Sequence, residues 1–152
     1  MSRHHAEVRW TATEGEDFLA GRYSRLHQLR FGAVTVPGSA SPSVVPAPWS
    51  TPDAVDPEAA FVASLSACHM LWFLDLARRA GLEVASYRDA AVGTMARDER
   101  GRMAMTRIVL RPEIAFAGRR PDAPELERLH HQAHESCFIA NSLRTEVVVE
   151  AP

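Results

Sequence analysis

The chain has 152 residues, 46% of them apolar and 24% charged, a size and balance that suit one ordinary globular domain. A net charge of -2 argues against nucleic acid as the main partner, because phosphate binding needs a basic surface. All 17 basic residues are arginine, which excludes Schiff-base or general-base lysine chemistry. The first residues, Met1 to Val8, hold no apolar run of signal-peptide type, and a cytoplasmic protein is expected. Two cysteines are too few for a disulfide framework. They are left as catalytic, redox-active, metal-binding or simply buried thiols.

Residues 6–13 and about 23–36 carry β-type composition, with TEGEDFLAG turning between them. The next stretch, PGSASPSVVPAPWSTPDAVDP, contains six prolines (Pro37, Pro42, Pro46, Pro48, Pro52 and Pro57). Too few residues precede it to fold alone, so an ordered loop at 38–55 within a single domain, 1–152, fits better than a linker between domains. Residues 57–80 then read as a helix. Asp56 is the expected N-cap, Pro57 the first helical residue, Arg78 and Arg79 the basic end, and Gly81 the stop. Phe61, Leu65, Cys68, Leu71 and Trp72 recur at helical spacing, while Val62, Met70, Phe73 and Leu74 point elsewhere. Such a helix is expected to be buried on more than one side, with a partner chain covering part of it. His69 and Asp75 interrupt its apolar run below the roughly 18 uncharged residues of a membrane span.

The segment from Val84 to Phe116 reads as a hairpin turning at Asp98–Gly101, with Ile108, Leu110, Ile114 and Phe116 alternating on one face. Asp122 and Pro124 open a second helix that carries Leu126, Leu129, Ala133 and Cys137 on or near one face. TEVVVE closes the chain as a strand. The order ββ–loop–α–ββ–α–β predicts an α+β fold.

Chemistry can reside in few places. Cys68 lies mid-helix, where a cysteine is more often a small apolar residue than a nucleophile. It is beyond reach of the helix dipole, which fades within the first turn, so a reactive thiolate there needs a cationic neighbour. Cys137 follows His134 in an H-x-x-C step. It reads either as a free thiol or as a resolving cysteine that closes a disulfide on an oxidised Cys68. A zinc site from Cys68, His69, His134 and Cys137 is a third reading, opposed by the roughly 100° between adjacent helical residues. Glu58 suits a helix N-terminus on dipole grounds alone. His130 and His131 read as solvated, and Ser64, Ser66 and Asp75 make no nucleophile elbow.

DPEAAFVASLSACHMLWFL resembles the central helix of the OsmC/Ohr superfamily, the osmotically inducible and organic-hydroperoxide-resistance proteins. Pro57-Glu58 followed by Ala67-Cys68 reproduces the family's spacing. LHHQAHESCFIANSLRTEVVVE is similar to its second motif, with Phe138 where proline is common. The resemblance implies an OsmC-like fold: antiparallel sheets packed on a long, central, buried helix in an intertwined homodimer. It also implies a cysteine-based peroxidase that needs no cofactor and no metal. Cys68 would attack, Cys137 would resolve, and Glu58 would orient an arginine from the N-terminal hairpin, Arg25 in preference to Arg22. An apolar wall of Phe61, Leu65, Trp72 and Trp49 would take the alkyl tail of an organic hydroperoxide, and an external thiol would reset the enzyme. The other functional class left open is a non-catalytic protein on the same fold, binding an apolar ligand or sensing oxidants. The loop at 38–55, through Val44, Val45 and Trp49, is expected to cover the cleft.

Overall fold

The computed structural model describes residues 1–150 and divides the chain into two compact units, Met1–Ala60 and Phe61–Pro152. In the first unit, β1 (Glu7–Arg9), β2 (His27–Phe31) and β3 (Val34–Gly38) form an antiparallel sheet in that order. The β-type stretch at 23–36 is thus two strands. Phe31 pairs with Val34, leaving Gly32 and Ala33 as the loop. Gly32 has φ +62°, the backbone that a type II′ turn demands at its first central position.

The proline-rich segment folds as successive tight turns. The amides of Val44 and Val45 donate to the Ser41 carbonyl, that of Trp49 to Pro46, and that of Ala54 to Thr51. Both ends are tied to β3, since Ser39 N–H donates to Val55 and Val55 N–H to Pro37, at 3.1 and 2.9 Å. The buried Ser39 hydroxyl accepts from Thr51 N–H at 2.9 Å. Prolines cannot donate, so the turns route the available amides around them.

Helix α1 (Pro57–Arg79) begins and ends where the sequence predicts. Asp56 Oδ1 accepts from Ala59 N–H at 2.7 Å. At the other end Gly81 has φ +72°, and Leu82 N–H donates to Ala77 while Gly81 N–H donates to Arg78. These are the paired bonds of a Schellman cap. By length and composition α1 is apolar enough to cross a membrane, although its uncharged run between Glu58 and Asp75 stays below the roughly 18 residues expected of a span.

In the second unit β4 (Glu83–Asp89) pairs with β7 (Pro112–Ala117), and β5 (Val92–Arg97), β6 (Met103–Leu110) and β8 (Glu146–Val149) form a second sheet. The turn at Asp98–Gly101 is present: Asp98 N–H donates to Arg102 at 2.8 Å and Arg97 pairs with Met103. The single hairpin expected over Val84–Phe116 is instead four strands in two sheets. Ile108 and Leu110 therefore do not share a face with Ile114 and Phe116. Pro112, which cannot donate to a ladder, stands where the chain changes sheet. The β6–β8 pair is parallel, so the sheets are not wholly antiparallel. A parallel pair needs a long crossover, here supplied by β7, α2 (Ala123–Ser136) and a short turn at Ala140–Ser142.

Two apolar clusters fill this unit. One joins Phe73, Ala77, Leu82, Leu129 and Ala133, and the other joins Leu65, Ile108, Leu110 and Cys137. Helix α1 gives both clusters one narrow stripe, Leu65, His69, Phe73 and Ala77, at the four-residue repeat of a helix face. Only 17% of its most apolar stretch is buried, so within one chain α1 is not the buried helix its composition suggests. Gly93 permits close approach of α1 to β5, because a Cβ there would meet Val62 at 2.6 Å and Met105 at 2.5 Å.

Candidate active site

The two thiols, 69 positions apart in sequence, are neighbours in the second unit. Cys137 caps the C-terminus of α2, where Asp122 accepts from Glu125 N–H at 2.8 Å to start the helix. Its N–H donates to His134 at 3.2 Å, and its Sγ accepts from Ala140 N–H at 3.4 Å. The thiol is fully buried, and Cys68 packs against the apolar cluster it belongs to. Burial, reinforced by the neighbouring Cys68, pushes the Cys137 thiol up to about 11, which favours the thiol over the thiolate at neutral pH. Cys68 is only partly buried, and both cysteines are free.

Leu65 belongs to the cluster around Cys137, and Phe61, Cys68 and Trp72 pack against it. These three apolar residues of the expected wall are therefore gathered at the thiols. Phe138, 70% exposed, stands edge-on to Trp72 with ring centroids 5.5 Å apart. A cleft of about 740 Å³ opens between Phe61, Met105 and Leu143, with Arg97, Arg100 and Arg144 also lining it.

The remaining expected residues belong to the first unit. Arg25 lies with its guanidinium 3.6 Å from the centre of the Tyr23 ring, a cation–π contact. It also donates to the carbonyls of Gly21 and Tyr23. Arg22 is ion-paired with Asp17 at 3.0 Å, and Trp49 accepts from Arg25 N–H through its carbonyl at 2.9 Å. Glu58 sits in the first turn of α1. Its Oε2 is shielded from solvent and has no hydrogen-bond partner, an arrangement costly for a carboxylate unless a donor is supplied.

Among the described residues no group of three or more His, Cys, Asp or Glu is placed to hold a metal ion. His130, expected to be solvated, is instead 5% exposed. Its Nδ1 lies 3.1 Å from Nε2 of His69, itself 1% exposed. The doublet misled the reading, because His131 does face solvent and pairs with Glu135 at 3.4 Å. Helical spacing carries the missing signal: His69 falls four residues after Leu65 and four before Phe73, on the buried stripe.

Burial lowers both imidazoles to about 4; the charges of His130 and His134 add to the effect on His69, and Asp89 opposes it on His130. Between pH 6.5 and about 4 the unfolded chain therefore binds more protons than the folded one, and stability falls as pH drops through that window. Urea midpoints measured from pH 7 to 4.5 are expected to decline steadily, and His69→Gln should flatten the slope by about half.

An OsmC-like protein family model matches residues 50–151. An OsmC-like protein of unknown function from Vibrio cholerae is 47% identical over 100% of both chains, with a TM-score of 0.97. An organic hydroperoxide resistance protein from Legionella pneumophila is 18% identical, covers 99% of this chain and 97% of its own, and has a TM-score of 0.67. The organic hydroperoxide resistance protein OhrB of Bacillus subtilis is 20% identical over 97% of this chain and 98% of its own, with a TM-score of 0.65. The last two likenesses are of fold. A search of curated proteins gives no match.

Proposed function

Because this chain belongs to the OsmC-like protein family, we propose that it is a thiol-dependent peroxidase that reduces organic hydroperoxides through Cys68 and Cys137. The observation that carries this reading is the thiol pair itself: two free cysteines gathered at one apolar cluster, one fully buried, the other only partly buried. The family contains proteins named for organic hydroperoxide resistance, which supports the same reading.

Cys68 is the nucleophile because Cys137 is held as the thiol. The Cys68 thiolate attacks the distal oxygen of ROOH, the O–O bond breaks, and the alkoxide leaves as ROH once protonated. A cation is needed where that negative charge develops. Arg25, or Arg22, is proposed for this role, with the unpartnered Glu58 carboxylate as its orienting group. Cys137 then attacks the sulfenic sulfur, an S–S bond forms and water departs. An external thiol reduces the disulfide, so the cycle calls on no metal, flavin or haem. Phe61, Leu65 and Trp72, with Trp49 from the loop at 38–55, are proposed to take the alkyl group. Consumption of cumene hydroperoxide with dithiothreitol as reductant tests the assignment. If wild-type protein consumes no peroxide, the non-catalytic reading takes its place.

The same reading calls for a homodimer. Leu71 on α1 is 62% exposed, and covering such side chains gains about 1.5–3 kcal/mol each. Glu58 stands ten residues before Cys68 on one continuous helix, about 15 Å along its axis, beyond the reach of a glutamate. We place Glu58 of one copy at the Cys68 of the other. Co-refolding Cys68→Ser with Glu58→Ala chains should restore activity towards half the wild-type value per heterodimer. Verified heterodimers without activity would put the whole site in one chain.

A further inference from the structure

The most unusual polar feature outside the thiols is the buried contact of His69 with His130. The rings are nearly parallel, at 8°, and the other face of the pair is closed by Phe73, stacked 4.5 Å from His130. The outward nitrogens, His69 Nδ1 and His130 Nε2, are buried without a partner. This is the sole side-chain hydrogen bond between α1 and α2 among the described residues; α1 carries Cys68, and Cys137 caps the end of α2. His69 follows Cys68 directly. His130 precedes Cys137 by seven residues, about two helical turns.

We propose that His69 and His130 are positioning residues for the thiol pair: one shared proton clasps α1 to α2 where Cys68 and Cys137 meet, and protonation of the pair opens the clasp and parts the thiols. A neutral imidazole has one N–H and one lone pair, so two neutral rings facing through one nitrogen each make one good hydrogen bond. A first added proton must go to an outward nitrogen, creating a buried cation with no acceptor. A second would set two N–H groups against each other. The surroundings give little relief. From α2, His134 acts on His69 in the same repulsive sense. From β4, the Asp89 carboxylate favours a charged His130, but Asp89 is engaged by the Ser66 hydroxyl at 2.5 Å and Arg111 N–H at 2.6 Å. Tyr87, also on β4, lies against Phe73 and its hydroxyl has no partner. The depressed imidazole values fit a pair that stays neutral until the medium is distinctly acid.

The proposal rests on the thiols acting as a pair, and its test avoids peroxide. Imidazole nitrogens are followed by NMR from pH 7 to 3.5 in the reduced protein and in protein oxidised with diamide to the Cys68–Cys137 disulfide. Coupling is reciprocal: if protonation weakens thiol pairing about tenfold, the disulfide lowers the midpoint of the pair by about one pH unit. Identical midpoints in the two forms overturn the proposal, and no variant is needed to obtain them. Equilibration with dithiothreitol gives the second readout. His69→Leu should shift the balance about tenfold towards the dithiol, and His69→Gln, whose amide can still bond to His130, should restore it while weakening its acid dependence to that of His130 alone. Shifted midpoints without peroxide turnover would remove the peroxidase reading and leave the clasp; normal turnover with unshifted midpoints would do the reverse. Failure of diamide to join the thiols would count against both.

Discussion

Replacing Cys68 with serine is expected to reduce hydroperoxide turnover by at least about a thousandfold, the scale of loss when an enzyme's nucleophile is removed. A serine hydroxyl at that position keeps the volume and the contact with Cys137 but gives almost no anion at neutral pH, and oxygen is the poorer nucleophile towards peroxide. Cys137→Ser should behave differently. Its Cys68 still attacks, so one equivalent of peroxide disappears in a burst. The sulfenic acid then has no partner within the chain and proceeds to the sulfinic acid with further peroxide. Following peroxide loss over the first turnovers, with mass spectrometry of the Cys68 and Cys137 peptides, separates the two roles. Retention of more than about a tenth of the activity by Cys68→Ser would remove Cys68 as the attacking group.

What could be read from the sequence was local. Asp56, Pro57 and Gly81 mark the ends of α1 because cap chemistry involves residues only a few positions apart, and Asp122 does the same for α2. The turn at Asp98–Gly101 has the same character. Strand pairing did not follow. The change of sheet at Arg111–Pro112 and the parallel return of β8 onto β6 depend on partners far along the chain, and alternation within one segment does not name them. The apolar composition of α1 indicates that something covers it, but the chain itself covers only the Leu65–Ala77 stripe, and composition cannot say what covers the rest. The burial of His130 is not legible because a histidine's preference is weak and two adjacent ones point about 100° apart on a helix. The meeting of Cys68 with Cys137 was implied by family resemblance and not by spacing, since it arises from the packing of α2 against α1 and β6.

Formation of the Cys68–Cys137 disulfide is expected to accelerate about tenfold for each pH unit between 7 and 9, because Cys137 must lose its proton to attack. Burial and the neighbouring Cys68 hold its thiol well above the ordinary thiol range, so at pH 7 the thiolate is scarce. Conversion of Cys68 to the sulfenic acid replaces the thiol that Cys137 touches. Desolvation, the larger cause, remains, and the profile should stay displaced to alkaline pH. The sign follows from the raised value: the proton is retained well above the ordinary thiol range, and resolution is slow wherever it is retained. At neutral pH a second peroxide therefore competes for the sulfenic acid, and the sulfinic fraction should fall as pH rises, in step with the faster disulfide. Acid-quenched samples after a single addition of cumene hydroperoxide, alkylated and resolved by mass, report both products at each pH. A disulfide rate that stays level from pH 7 to 9 would show that resolution is not limited by deprotonation of this buried thiol.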